Sequence, residues 1–181
     1  MAIHPPKRSA LLIIDMQEGL FNGPERPYDR ERVLANINRL IEMARGAGAP
    51  IFAARHTGPK GSAIEPGSAL TQLISGLDID RTVDHVFDKT RPSCFIGTGL
   101  AERLGQAAIG ELVIAGMKTE YCVDTTCRAA ADSGFRVILV ADAHTTVDTP
   151  TLSARMIIDH HHRTLSGPFV TLLDTDNCVF Q

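Results

Sequence analysis

Leu112-Val113-Ile114-Ala115-Gly116-Met117-Lys118-Thr119-Glu120-Tyr121-Cys122-Val123 decides the fold. Its first four residues form an apolar run closed by a glycine, the pattern of a strand buried on both faces. From Val123 to Ala131 the pattern becomes helical, with Thr119 as candidate N-cap and Cys122 three residues further on. A cysteine so placed lies in the first helical turn, at the carboxyl end of a strand in an open α/β sheet, where such sheets put their ligands. The unpaired N–H groups and positive dipole end of a helix favour a thiolate over a thiol. Cys122 is therefore the candidate nucleophile.

The same alternation runs outward in both directions. Ser9 to Ile14 is a continuous apolar run ending in Asp15, which suits a central parallel strand with its aspartate facing the ligand crevice. Met16 to Tyr28, with two glycines and two prolines, reads as a loop. From Asp29, Val33, Ile37, Leu40, Ile41 and Ala44 recur at helical spacing until Gly46 and Gly48 stop them. Pro50 to Ala54 is a second strand, ending in Arg55 and His56. Thr57 to Ser68 is a long loop of the kind that is often functional, and Ser68 to Leu77 reads as a short helix. Thr82 to Phe87 is a strand delivering Asp88 and Lys89, and Gly99 to Leu104 is a short helix. Phe135 to Val140 and Phe169 to Leu173 are further strands, separated by a helix over Thr149 to Leu165 with Leu152, Met156 and Ile157 on its apolar face. No repeat and no linker interrupts the series. The expected architecture is one domain over residues 1–181, a doubly wound three-layer α/β/α fold on a mainly parallel sheet.

Composition narrows the function. The chain has 181 residues, 44% apolar and 22% charged, an ordinary soluble globular balance. A net charge of −3 gives no reason to expect nucleic acid or an anionic membrane as partner. No window approaches a membrane span, and Ala10 to Ile14 is too short for a signal-peptide core, so the cytoplasm is the expected compartment. Its four cysteines (94, 122, 127 and 178) then read as free thiols, and no CxxC pair suggests structural zinc.

Asp15, Lys89 and Cys122 all fall at or just beyond strand ends. A cysteine needs a proton acceptor and a stabilised anion. Asp15 can take the thiol proton, Lys89 can hold both anions, and backbone N–H groups from Lys118 to Cys122 can form an oxyanion hole. These parts suit attack on a carbonyl carbon with departure of an amine or ammonia. Singly each has a plainer reading, as core filler, helix cap or solvated lysine.

Together, LLIIDMQ (11–17), FDKTRPSCF (87–95) and GMKTEYCVDTT (116–126) resemble the three signature segments of the isochorismatase-like cysteine hydrolases, in the same order. VADAHTT (140–146) and HHHRTL (160–165) continue the likeness, which covers residues 9 to 174. The resemblance implies a six-stranded sheet of order 3-2-1-4-5-6 and an Asp–Lys–Cys triad at Asp15, Lys89 and Cys122. It also implies a cis peptide at Met117–Lys118 beside an oxyanion hole built from the Lys118 and Cys122 backbone, and a homodimer or larger homo-oligomer. Gln17, Phe21, His56, Phe95 and Tyr121 adjoin the triad segments and are the candidate substrate-pocket residues.

Nicotinamidases of this family resemble one another in an Asp-x-His pair that helps hold a metal near the second strand. The corresponding stretch here is Ala54-Arg55-His56, which lacks the carboxylate. No metal or other cofactor is expected, nor is nicotinamide as substrate. Isochorismatases proper cleave a vinyl ether without depending on a thiolate at this position, so Cys122 favours C–N hydrolysis of a small amide, carbamoyl or ureide compound. A vinyl ether hydrolase and a non-catalytic binding protein are the alternatives; a binding role would not need a complete triad. His160-His161-His162 looks like a metal tract, but consecutive helical side chains diverge by about 100°, so a supporting role is expected. Gly97-Thr98-Gly99 lacks the third glycine of a dinucleotide fingerprint. Cys127, roughly 140° around the helix from Cys122, and Cys94 read as buried filler.

Overall fold

The computed structural model describes residues 8–181. Six strands form one parallel sheet: β1 (Arg8–Ile14), β2 (Ile51–His56), β3 (His85–Lys89), β4 (Ile109–Met117), β5 (Arg136–Thr145) and β6 (Thr171–Leu173). Their order is β3-β2-β1-β4-β5-β6, the 3-2-1-4-5-6 order implied by resemblance. β1 and β4 are central, and Ala10 to Ile14 are wholly buried, which is why that run is apolar on both faces.

Alternation along the central strands divides the core. Leu11, Ile13, Val113 and Ala115 face α2 (Arg30–Gly46), which contributes Val33, Ile37, Leu40, Ile41 and Ala44. These are the five positions predicted from spacing. Ala10, Leu12, Ile14, Leu112 and Ile114 face the opposite layer, where α3 (Leu100–Gln106), α4 (Asp124–Asp132) and α5 (Ala154–Leu165) supply Leu100, Leu104, Cys127, Ala130 and Leu165. Each fully buried Leu or Ile contributes about 1.5–3 kcal/mol, so both helical layers are held to the sheet along β1 and β4.

Several local expectations are corrected. The segment 16–28 is not all loop: α1 (Glu18–Phe21) forms one helical turn. Ser68 to Leu77 contains only a 3-10 turn, Ala69–Thr71. The last helix starts at Ala154 rather than Thr149, because Asp148 Oδ1 accepts from Ala154 N–H at 2.7 Å and Ser153 Oγ accepts from Met156 N–H. Leu152 and Met156 are 41% and 58% exposed and do not join the core; Ile157 does. β5 runs on to Thr145. Its pairing with β4 jumps from Ile114↔Leu139 to Gly116↔His144, so a bulge in β5 sets His144 and Thr145 beside Gly116 and Met117. Gly116, at φ 122, passes so close to Ile14 that any side chain would run into its backbone. Among the described residues no helix is long and apolar enough to cross a membrane.

Candidate active site

The strand order brings three chain segments to one edge. Asp15 follows β1 with φ 52, a left-handed conformation that non-glycine residues adopt rarely and chiefly where the surroundings enforce it. Its N–H donates to Ala54 O at 3.0 Å, which ties it to the end of β2. Lys89 ends β3 in register with His56, the last residue of β2, so its side chain reaches past β2 toward β1. Beyond β4 the Met117–Lys118 peptide is cis, and the chain enters a wide π-type turn, Thr119–Val123, before α4. Cys122 lies in that turn. Thr119 is not its cap: its hydroxyl lies 2.8 Å from His144 Nδ1 instead.

Lys89 Nζ is the hub. It lies 2.8 Å from Asp15 Oδ2, 3.2 Å from Cys122 Sγ, 3.2 Å from His56 Nδ1 and 3.3 Å from Arg91 O. An ammonium only donates, so His56 Nδ1 must be the unprotonated nitrogen of a neutral ring. Asp15 Oδ1 is buried without a hydrogen-bond partner. Its carboxylate therefore keeps a lone pair free beside the thiol.

Protonation follows from burial and mutual charge. Burial, followed by the Asp15 charge, pushes the Cys122 thiol up to about 12, against the pull of Lys89. Burial also raises Asp15 above its ordinary value, although Lys89 opposes this. For Lys89 burial disfavours the charge, but Asp15 and Cys122 outweigh it and its pKa is raised. Burial and then Lys89 lower His56. The site at rest pairs Asp15 with Lys89 at 2.8 Å beside a thiol. The thiolate expected from the helix start does not prevail, because burial and a neighbouring carboxylate outweigh a dipole worth about 1 kcal/mol.

A cavity of about 470 Å³ opens onto Asp15 and Cys122, lined also by Gln17, Gly19, Leu20, His56, Ile64, Leu70, Pro92, Lys118 and Tyr121. Of the predicted pocket residues, Gln17, His56 and Tyr121 line it. Gln17 is 2% exposed and clamps the wall: its amide donates to His56 O and Thr71 O and accepts from His56 N–H. Phe21 does not line it. The α1 turn points Phe21 into the core under Arg30 and leaves Leu20 facing the cavity. Phe95 packs on Phe135 instead, with ring centroids 5.9 Å apart.

The chain and its fold have known relatives. Residues 9–176 match the isochorismatase domain. The chain belongs to the isochorismatase family. Members of this family are hydrolases. A streptothricin hydrolase of Streptomyces noursei is 35% identical over 141 residues, covering 78% of this chain and 51% of that protein. The chain thus spans about half the length of that relative. Nicotinamidase 3 of Arabidopsis thaliana is 29% identical, with 94% of this chain and 86% of that protein covered. An isochorismatase of Pseudomonas putida KT2440, solved as a crystal structure, superposes with a TM-score of 0.86 at 30% identity, covering 97% of this chain and 94% of that one.

The metal site that resemblance to the nicotinamidases implies does not fit this member of the family. Ala54 offers no ligand and is buried in the core, and His56 turns Nδ1 to Lys89. Asp15, His56 and Cys122 do present ligand atoms within 4.8 Å of one another, but those three residues surround the Lys89 ammonium. The pocket residues missed from the sequence are Gly19, Leu20, Ile64, Leu70, Pro92 and the Lys118 side chain. Ile64 carried a usable signal, as an isolated large apolar residue in a Gly/Pro/Ser-rich loop. Lys118 carried none beyond adjacency to the turn.

Proposed function

We propose that this isochorismatase-family member hydrolyses a C–N bond of a small amide, carbamoyl or ureide compound through a thioester on Cys122. The observation that carries the reading is the shared ammonium: Lys89 Nζ is 2.8 Å from Asp15 Oδ2 and 3.2 Å from Cys122 Sγ. Asp15 takes the thiol proton as Sγ attacks the carbonyl carbon, and Lys89 stabilises whichever of the two groups is negative. The oxyanion of the tetrahedral intermediate is stabilised by the Lys118 and Cys122 backbone N–H groups. Collapse breaks the C–N bond, and Asp15 returns its proton to the departing amine or ammonia. Water then attacks the thioester, again losing its proton to Asp15, and the acid product leaves as the thiol is restored.

The raised thiol pKa is consistent with this sequence. The thiolate forms with attack, so the site need not hold two adjacent anions at rest. The apolar walls at Leu20, Ile64, Leu70 and Pro92 suit a compact substrate with few charges.

The test is ammonia release from a panel of primary amides, N-carbamoyl compounds and ureides by wild type and Cys122→Ala. Turnover that needs Cys122 supports the proposal; turnover retained in the variant overturns it. Likeness to an isochorismatase favours a second reading, vinyl ether cleavage. That chemistry would survive Cys122→Ala.

A further inference from the structure

His144 and the His160–His162 tract take no part in the chemistry above, yet they meet the nucleophile segment at both ends. Along α5 the three histidines diverge. His160 is exposed. His161 Nδ1 lies 2.8 Å from Ile157 O, with Nε2 4.0 Å from Asp124 Oδ1. His162 Nε2 lies 2.8 Å from His144 Nε2. His144 is 2% exposed, and its Nδ1 lies 2.8 Å from the hydroxyl of Thr119, which is wholly buried. Thr119 and Asp124 flank Cys122 on its two sides.

Both ring nitrogens of His144 are therefore occupied. Burial, then His162 and His161, push its pKa down to about 3, so the ring is neutral and carries one N–H. One of its bonds is donated and the other accepted. The chain from His162 through His144 to Thr119 is thus directional and fully satisfied. Burying His144 against the half-buried His162 costs stability unless the two are so paired, and an apolar pair would fill the same space without that cost. What an apolar pair would not supply is a directional hold on the residue that opens the π turn. That turn is held within itself by Tyr121 and Val123 N–H groups sharing Lys118 O at 3.2 Å, so its external ties matter.

We propose that His144, anchored by His162, is a positioning residue that fixes the Cys122 turn against Asp15 and Lys89 through the Thr119 hydroxyl. The inference rests on Cys122 being the reactive thiol, not on any particular substrate.

The test reads the pH profile of Cys122 alkylation by iodoacetamide, with the site identified by peptide mass mapping. His144→Leu removes the bond to Thr119. His144→Asn keeps a polar atom at the Nδ1 position. Thr119→Val removes the hydroxyl with little change in shape. In His144→Leu and Thr119→Val the midpoint should move by about one unit or more toward the ordinary thiol value of about 8.5, as Cys122 leaves its partners. His144→Asn should keep the wild-type midpoint. The inference is overturned if folded Thr119→Val or His144→Leu keeps the wild-type profile, or if His144→Asn shifts as far as His144→Leu. Should His144→Leu fail to fold, Thr119→Val and His144→Asn decide the matter. A wild-type Cys122 that reacts like Cys94, Cys127 and Cys178 would instead show that the nucleophile assignment itself has failed.

Discussion

Lys89 Nζ and Asp15 Oδ2 lie 2.8 Å apart with side chains 0% and 1% exposed, at the ends of strands separated by β2 in the sheet. A buried ion pair contributes little net stability, because both ions lose water. Removing one partner is costly, since the other is left charged without compensation. Lys89→Met should therefore cost about 3–5 kcal/mol in urea unfolding at pH 7, and Lys89→Met with Asp15→Asn should be less destabilised than Lys89→Met alone. A double variant as unstable as the sum of its parts would contradict the coupling.

His56 should remain neutral with its proton on Nε2. Its Nδ1 accepts from Lys89 at 3.2 Å, and burial together with Lys89 lowers its pKa below the ordinary 6.5. Two-bond proton–nitrogen NMR correlations on wild-type protein should show that tautomer at pH 7, with protonation only below pH 6.5. A ring protonated at Nδ1, or titrating above 6.5, would contradict the arrangement drawn around Lys89.

Acid should destabilise the fold through His144. Its folded pKa, about 3, lies below the ordinary histidine value of 6.5. Between those values the unfolded chain binds the extra proton, so stability rises with pH and is lost as pH falls from 6.5 toward 3. At pH 5 the loss from this group is about 2 kcal/mol. Asp15, with its raised pKa, acts in the opposite sense but equally in wild type and His144→Asn. Comparing unfolding free energies at pH 7 and pH 5 should show a larger acid loss in wild type than in His144→Asn. Equal losses would contradict the neutral buried ring.

What was legible in the sequence was what local periodicity determines. The α2 face could be read because Val33, Ile37, Leu40, Ile41 and Ala44 all turn to one layer, and β1 because a strand covered on both sides is apolar throughout. The strand order came from resemblance, since spacing alone does not say which strands are neighbours; Asp15, Lys89 and Cys122 stood out by their places at strand ends, and resemblance joined them as a triad. What stayed hidden depends on distant partners. Thr119 has the position of a cap, but its hydroxyl is taken by His144, 25 residues away. β5 looked finished at Val140 because Asp142 follows, yet that carboxylate accepts from Thr175 and the strand continues past its bulge. Phe21 and Leu20 are neighbours on one short turn, and which of them faces the cavity depends on a helical phase that Gly19 and Gly23 obscure.

Cys122→Ala should lower amide turnover by about 10⁴-fold or more, as loss of a covalent nucleophile does, while leaving the fold intact because a small buried side chain is exchanged for a smaller one. Retained turnover would remove the nucleophile from the account.

The central claim is the covalent step, and the most direct measurement is acid-quenched mass analysis of the enzyme during turnover of a substrate found by ammonia release. A transient acyl adduct is expected on the Cys122 peptide, absent from Cys122→Ala and lengthened in life when Asp15→Asn impairs attack by water. Turnover at full rate with Cys122 unmodified at every quench time, or an adduct carried by another residue, would contradict it.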